Sequence, residues 1–257
     1  MGVRDLFKLD GRVALITGGS RGLGLQMAEA LGEMGCAVAL TARKIDELEQ
    51  AREHLLAQGV DACTLATDLQ QPECIAPLVD QVLQRYGQID ILVNNAGATW
   101  GAPAEDYPDA AWHKVMNLNV NATFFLSREV GRRSMIPRQQ GKIINIASVA
   151  GLKGTAPGVH TIAYNTSKAA VINFTRTLAA EWGRYNINVN AICPGFFPSK
   201  MSAGLLEQVQ DAVIARAPLH RIGGEEDLKG SVVFLASEAS RHITGQYLAV
   251  DGGSCIV

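Results

Sequence analysis

Short apolar runs alternate with longer helical patterns along much of this chain, and this alternation restricts the fold more than any other feature. Helical periodicity appears between the runs, for example in Gly24–Met34, Lys44–Gln58 and Pro72–Tyr86. Most of the apolar runs are continuous, which is typical of strands buried on both faces, and strand–helix alternation produces parallel βαβ units. We therefore predict an α/β fold with a doubly wound, mostly parallel seven-stranded sheet and helices on both faces. The runs that predict its strands are Arg12–Thr17, Cys36–Thr41, Val60–Leu65, Ile89–Asn94, Lys142–Ala147, Ile187–Cys193 and Gln246–Val250.

The chain shows no linker rich in Pro, Gly or Ser and no internal repeat, so we predict one domain over residues 1–257. Its least regular region is 196–224, which contains Pro198, Pro218 and the pair Gly223–Gly224. A long irregular excursion within a compact domain is usually functional. We therefore predict a substrate lid over about 196–224.

Composition excludes several classes of protein. Hydrophobic residues make up 47% and charged residues 19% of the chain, which is enough apolar material for a core. The formal charge of −2 and the absence of a basic block argue against a nucleic-acid partner. No apolar run is long enough to span a bilayer, and the first ten residues do not resemble a signal peptide. The five cysteines lack metal-ligand spacing, so we predict reduced thiols, no metal and a cytoplasmic protein.

The first predicted strand ends in a glycine-rich turn, Thr17–Gly24 (TGGSRGLG), that leads into a helical pattern. Glycines let the backbone approach a pyrophosphate, and the N–H groups at a helix start bind anions. A glycine turn that binds nothing is the alternative, but the strand–turn–helix context predicts a dinucleotide site of the Rossmann type. We expect cofactor contacts from Gly18, Ser20, Arg21, Gly22, Leu23 and Gly24.

The end of the second strand indicates which dinucleotide binds. NAD sites usually place an acidic residue there to hold the ribose hydroxyls. Here the strand is followed by Arg43 and Lys44, with no acid, and Arg21 adds a cation from the glycine turn. Two guanidinium groups suit a 2′-phosphate. Although Arg43 could be an ordinary exposed residue at a helix start, we predict NADP(H) as the cofactor.

Three residues form a candidate reaction centre. Tyr164 and Lys168 are four positions apart in the helical run Tyr164–Trp182, so they share one helix face. A nearby ammonium favours the phenolate and is expected to lower the phenol pKa. Ser148 follows the fifth strand, at the sheet edge where α/β folds bind ligands.

Together these residues resemble the short-chain dehydrogenase/reductase family, in its compact single-domain branch, over almost the whole chain. The motifs that carry the resemblance are TGGSRGLG at Thr17–Gly24, NNAG at Asn94–Gly97, Asn119, Ser148, YNTSK at Tyr164–Lys168, CPG at Cys193–Gly195 and DGG at Asp251–Gly253.

The resemblance implies a role for each site residue. Tyr164 would be the acid/base, and Lys168 would lower the Tyr164 pKa and bind the nicotinamide ribose. Ser148 would hold the substrate oxygen, and Asn119 would fix a water in a proton relay that ends at Lys168. The implied cofactor contacts include Asp68, Leu69, Asn94, Asn95, Ala96, Gly97, Pro194 and Gly195. Asn119 is chosen over Asn117 and Asn121 by its match to the family pattern.

The sequence departs from the family between Ser148 and Tyr164, where the stretch is longer and contains Pro157, Gly158 and His160. We interpret His160 as a loop residue, because the site already has an acid/base. The shape of this pocket wall is therefore not predicted.

We predict a small carbonyl compound or alcohol as the substrate, with a reductase of the 3-oxoacyl type or another carbonyl reductase as the leading interpretation and a sugar-acid or polyol dehydrogenase as the alternative. NNAGATWGAP and CPGFFPSKM resemble bacterial 3-oxoacyl reductases, and Trp100, Phe196 and Phe197 favour a partly apolar substrate. The opening Asp5–Gly11 resembles gluconate 5-dehydrogenases, which act on a sugar acid. A binding protein without catalysis is a remote alternative, because Tyr164 and Lys168 are both present.

Assembly is predicted from apolar surfaces. The stretch Gln246–Val257 ends in an apolar tail beside an edge strand, and such edges invite pairing. Parts of Tyr164–Trp182 and of the helical pattern Trp112–Met135 are also apolar, although they could simply cover the sheet of their own chain. We predict a homo-oligomer, either a dimer or the homotetramer that the resemblance implies.

Overall fold

A computed structural model describes residues 2–156, 158–200 and 203–257. Seven strands form one sheet in the order β3-β2-β1-β4-β5-β6-β7, and every neighbouring pair is parallel. The predicted fold class is confirmed, and each strand lies within one or two residues of its predicted bounds. The strands are β1 Val13–Thr17, β2 Ala37–Ala42, β3 Ala62–Ala66, β4 Ile91–Asn94, β5 Gly141–Ile146, β6 Ile187–Pro194 and β7 Tyr247–Val250.

Helices connect the strands and cover both faces of the sheet. They are α1 Val3–Leu6, α2 Gly22–Glu33, α3 Ile45–Ala57, α4 Ile75–Tyr86, α5 Asp109–Met116, α6 Ala122–Val130, α7 Ile136–Arg138, α8 Ile162–Trp182, α9 Ala203–Arg216 and α10 Lys229–Ala236. Two π-helical turns, Asn117–Asn121 and Gly131–Met135, join α5, α6 and α7 into one winding run.

Burial on both faces explains the continuous apolar strands. In β1 all five residues are buried, and alternate side chains enter different cores: Ala14 and Ile16 pack on one side, Val13 and Leu15 on the other. Helices α2, α3 and α10 cover the first core, whereas α4, α6 and α8 cover the second. Two cores on one sheet make this a single layered domain.

The strand order reverses between β1 and β4, because β2 and β3 extend the sheet in one direction and β4 to β7 extend it in the other. Ligands of open α/β sheets bind at the carboxyl ends of the strands beside such a reversal. The candidate site is therefore expected above β1, β4 and β5.

The predicted lid is partly helical. Helix α9 occupies much of 196–224, while Met201 and Ser202 lie outside the described residues, as does Pro157 of the long loop before α8. Within the part of the chain that the structure describes, no helix combines the length and apolar character needed to cross a membrane.

Candidate active site

The glycine turn between β1 and α2 has the geometry of a phosphate cradle. Gly18 and Gly22 have positive φ angles of +64° and +54°, which favour glycine. A Cβ on Gly24 would collide with the carbonyl oxygen of Gly18. In contrast, nothing lies within 4 Å of the position of a Cβ on Gly22, so space is open where α2 begins. This combination fits a dinucleotide pyrophosphate.

Asn95 and Thr17 fix the shape of this turn. The hydroxyl of Thr17 accepts hydrogen bonds from the backbone N–H groups of Asn95 and Ala96, both at 2.9 Å. The amide of Asn95 donates to the carbonyl oxygens of Thr17 (2.9 Å) and Gly18 (3.2 Å). Asn95 therefore braces the glycine turn, and Ala96 and Gly97 continue from it along the crevice.

Asn94 does not have the orientation that the resemblance implies. Its side chain is buried and donates to the Ser127 hydroxyl (3.0 Å) and to Asn145 Oδ1 (2.9 Å). Both amide N–H groups are thus used inside the protein, which leaves neither for an adenosine. Neighbouring strand residues alternate between faces, so Asn94 points inward where Asn95 reaches the turn.

The end of the crevice beside β2, which is predicted to bind the adenosine, carries exposed cations. Arg21 and Arg43 are exposed beside it, and Arg21 Nη1 lies 2.7 Å from both carboxylate oxygens of Glu47. Lys44 Nζ donates to Glu47 Oε1 at 3.1 Å. Glu47 was not singled out in the sequence, because its role depends on the packing of α3 against the glycine turn.

The segment after β3 borders the same end of the sheet. Asp68 Oδ1 accepts from the backbone N–H of Gln70 at 3.1 Å, so this carboxylate shapes its own turn. Leu69 is buried in the core under the adenosine end of the crevice. Both residues follow β3 directly, as a cofactor contact there would require.

Lys168 is a buried ammonium at the centre of the site. Only 5% of the residue is exposed, and Nζ donates to the carbonyl oxygen of Ile146 at 2.7 Å. Burial lowers the pKa of Lys168 to about 8. Nζ lies 5.6 Å from the centre of the Tyr164 ring, so the predicted proximity of the two side chains is present.

The pKa of the Tyr164 phenol is shifted in the opposite direction from the one predicted from the sequence. Burial raises the pKa of the phenol, while a hydrogen bond with Ser148 lowers it to a smaller extent. The Lys168 ammonium faces the ring and the Ile146 carbonyl rather than stabilising a phenolate directly. The i,i+4 spacing places the two groups on one face of the helix, and the role of Lys168 in lowering the Tyr164 pKa stays a prediction.

Ser148 stands at the start of the turn that follows β5. Its hydroxyl accepts from the backbone N–H of Ala150 at 3.1 Å and lies 3.5 Å from the Pro194 carbonyl oxygen. The residue is 7% exposed, and its hydroxyl is near enough to the Tyr164 phenol to lower the pKa of that group. Ser148 and Tyr164 thus present two hydroxyls together, which can hold one substrate oxygen.

Asn119 joins three parts of the site from the π-helical turn Asn117–Asn121. Its amide donates to the Ala98 carbonyl oxygen (3.0 Å) and to the Ser167 hydroxyl (2.9 Å), and its Oδ1 accepts from the Ala98 N–H (2.8 Å). A Cβ on Gly97 would lie 3.3 Å from Asn119 Oδ1 and 3.7 Å from Lys168 Nζ, so these groups converge. Asn117 and Asn121 instead hydrogen-bond each other. π-Helical turns are rare in proteins, and those that occur are frequently found at functional sites.

The segment Pro194–Gly195 lies against a turn near the end of the chain, Asp251–Cys255, here named the C-terminal turn. The Gly195 N–H donates to the Val250 carbonyl oxygen at 3.0 Å, and a Cβ on Gly195 would lie 2.7 Å from that of Asp251. The Asp251 carboxylate accepts from the N–H groups of Gly253 (3.0 Å) and Cys255 (2.8 Å).

The C-terminal turn also touches both sides of the entrance. Lys153 Nζ, in the loop before α8, donates to the Ser254 carbonyl oxygen at 2.5 Å. The Leu219 N–H, in the predicted lid, donates to the Gly252 carbonyl oxygen at 3.1 Å. These contacts join segments that are distant in sequence, so the motif DGG alone could not predict them.

The three aromatic residues predicted near the pocket mouth, Trp100, Phe196 and Phe197, differ in how far they are buried. Trp100 is exposed beneath the Lys114 ammonium, which lies 5.7 Å from a Trp100 ring centre, and Phe196 is half-buried. Phe197 is 5% exposed and packs in the core under Gly223. His160 is exposed, and its carbonyl oxygen accepts from the Ala102 N–H at 3.2 Å. Phe197 is thus a packing residue.

Comparisons with known proteins agree with this geometry. A family model described as enoyl-(acyl carrier protein) reductase matches residues 18–254. The chain is 40% identical to gluconate 5-dehydrogenase of Gluconobacter oxydans, covering 97% of this chain and 96% of that protein. It is 39% identical to a 3-oxoacyl-[acyl-carrier-protein] reductase of Pseudomonas aeruginosa, covering 95% and 98%.

A solved structure is also similar to this chain over its whole length. The gluconate 5-dehydrogenase of Burkholderia cenocepacia, in complex with NADP and tartrate, superposes with a TM-score of 0.93 at 36% identity over the whole of both chains. The cofactor in that complex is the one predicted here from Arg21 and Arg43. The glycine turn, the Tyr164–Lys168 pair and Ser148 thus occur in a chain that belongs to the short-chain dehydrogenase/reductase family of oxidoreductases.

Proposed function

We propose that this protein transfers a hydride between NADP(H) and a ketone or secondary alcohol. The observation that carries the proposal is the convergence of Tyr164, Ser148, Lys168 and Asn119 beside the glycine turn. NADPH, when bound, supplies the hydride to the carbonyl carbon. Tyr164 donates a proton to the carbonyl oxygen, and Ser148 hydrogen-bonds the same oxygen as negative charge develops there.

The cofactor site is proposed along the predicted residues. The pyrophosphate binds the N–H groups of Gly18–Gly24, and Arg21 and Arg43 hold the 2′-phosphate. Lys168 binds the nicotinamide ribose through the N–H groups that Ile146 does not use. Asn119 positions the water of a proton relay toward Lys168.

For the substrate we propose a keto acid of a sugar, or the corresponding hydroxy acid. Because Phe197 lies in the core, only Trp100 and Phe196 remain as support for an apolar substrate. In addition, the Lys114 ammonium lies over the exposed Trp100 ring. Lys153 supplies a second cation at the entrance. Cations near a pocket favour carboxylates. The Burkholderia relative was solved with tartrate, a hydroxylated dicarboxylic acid, which supports this choice.

A 3-oxoacyl thioester is the second candidate, favoured by the half-buried Phe196 and by the Pseudomonas relative. A panel of 5-ketogluconate, 2-keto-3-deoxygluconate derivatives, a 3-oxoacyl thioester and simple ketones, assayed with NADPH, separates the classes. We expect kcat/KM to be highest for the sugar acids. A higher kcat/KM for the thioester would contradict the sugar-acid proposal and support the 3-oxoacyl thioester as the substrate.

The acid/base assignment is tested by Tyr164→Phe, which keeps the ring and removes the hydroxyl. General acid catalysis is worth about 10²–10⁴-fold, so kcat should fall by that factor while NADPH binding stays nearly constant. Tyr185→Phe, on a short turn outside the site, serves as the control. A Tyr164→Phe variant that keeps more than about a tenth of the turnover would contradict the assignment.

We also propose a cytoplasmic homo-oligomer, most simply a homotetramer. All five cysteines are free, as in a reducing compartment. Phe124, on α6, is 43% exposed, and Tyr247 and Leu248, on the edge strand β7, are 42% and 40% exposed. Apolar groups on a helix and on an edge strand provide two separate surfaces for self-association.

A further inference from the structure

Among the described residues, Glu47 is the only carboxylate in direct contact with Arg21, one of the two predicted 2′-phosphate ligands, and it also contacts Lys44 beside Arg43. Arg21 Nη1 lies 2.7 Å from both of its oxygens, and Lys44 Nζ lies 3.1 Å from one. The side chain of Glu47 is 26% exposed, against 51% for Arg21 and 64% for Lys44. The carboxylate therefore lies deeper in the crevice wall than the cations around it.

The backbone fixes this position. Glu47 is in the first turn of α3, and its neighbour Leu48 is fully buried in the core, so the helix cannot rotate Glu47 away from the glycine turn. The pKa of Glu47 is lowered mainly by its hydrogen bond with Lys44, and also by the charges of Arg21 and Lys200. The carboxyl group is therefore an anion at neutral pH. A permanent negative charge thus stands within contact of Arg21.

A 2′-phosphate bound by Arg21 must share that guanidinium with Glu47. The structure uses one Arg21 nitrogen for the carboxylate, so a phosphate can reach the others, but it then lies close to a like charge. Repulsion between a dianion and a carboxylate a few ångströms apart outweighs the small benefit of orienting an exposed arginine. Conversely, a carboxylate near the adenosine ribose suits the hydroxyls of NAD(H).

We propose that Glu47 is a specificity-determining residue that competes with the 2′-phosphate for Arg21 and so limits the preference for NADP(H) over NAD(H). The inference rests on the proposed function, because it assigns the adenosine ribose of NADP(H) to this end of the crevice. In physical terms, the Glu47 carboxylate and the 2′-phosphate are two anions that would lie next to the same guanidinium group.

The test is direct binding, without turnover, of NADPH, NADH and the fragment 2′,5′-ADP, measured by titration calorimetry. Glu47→Gln should tighten NADPH and 2′,5′-ADP by about two- to fivefold, which is the scale of one exposed ion pair. NADH should bind equally well or more weakly. In the background Arg21→Ala, Glu47→Gln should have a clearly smaller effect, because the shared partner is gone and only the direct repulsion between the two anions remains.

Asp46→Asn is the matched control. Asp46 is also an acid in the first turn of α3, it is exposed, and the structure gives it no ion pair among the described residues. Equal tightening by Asp46→Asn would reduce the effect to net charge and overturn the inference. Weaker NADPH binding in Glu47→Gln would also overturn it, since Glu47 would then be a positioning residue for Arg21. Wild-type protein that binds NADH more tightly than NADPH would instead contradict the proposed cofactor.

Discussion

Replacing Lys168 by methionine is expected to stabilise the protein at neutral pH while damaging the site. In the unfolded chain the lysine pKa is near 10.5, whereas burial lowers it to about 8 in the folded protein. At 1.36 kcal/mol per unit, holding this ammonium in its buried position costs about 3 kcal/mol below pH 8. The hydrogen bond from Nζ to Ile146, which methionine lacks, offsets about 1 kcal/mol of that cost.

The stability difference between the wild type and Lys168→Met should change sign with pH. Between pH 8 and 10.5 the unfolded chain binds more protons at this position than the folded protein does, so the wild type gains stability as the pH rises. Lys168→Met has no such group. The variant should therefore be about 2 kcal/mol more stable than the wild type at pH 7 and about 1 kcal/mol less stable at the upper end of this range.

Urea unfolding of both proteins at several pH values from 7 to 10.5 measures this difference directly. Lys114→Met, which removes an exposed lysine, controls for the loss of one positive charge. A variant that is less stable than the wild type at pH 7, or a difference that is constant with pH, would refute the reasoning. The same variant should lose activity, because a charge kept at a cost in stability is typical of a functional group.

Three further predictions concern the cofactor, the thiols and assembly. Arg43→Ala should weaken NADPH binding by about 1.5–3 kcal/mol and leave NADH nearly unchanged in titration calorimetry; equal losses would exclude a 2′-phosphate contact. Burial raises the pKa of the Cys193 thiol to about 11 and also raises that of Cys36, so a short iodoacetamide pulse at pH 8 should modify neither until urea is added, as mass spectrometry would show. Light scattering on a sizing column should give a mass near four times 27.4 kDa; a monomer at micromolar concentration would contradict self-association, and a dimer only the tetramer.

The sheet could be predicted from the sequence because its signal is local and repeated. Strands buried on both faces must be apolar throughout, so β1 and β4 were recognisable without knowing their partners. The glycine turn and the Tyr164–Lys168 pair were equally accessible, since each depends on spacing within one element.

The remaining features of the site depend on which distant segments meet. Nothing local to Phe197 indicates that Gly223 leaves room for its ring in the core. The partner of Arg21 is one residue of α3, and Asn94 differs from Asn95 only in the face of the strand on which it lies. The pKa of Tyr164 is raised by desolvation within the folded protein, which no i,i+4 spacing reveals.

The C-terminal turn gives the two sides of the entrance a common anchor. Because Ser254 holds Lys153 and Gly252 holds Leu219, thermal motion of the loop before α8 and of the segment after α9 should be correlated rather than independent. Disturbing the turn would release both segments at once, with a combined gain in chain entropy that neither contact alone would give.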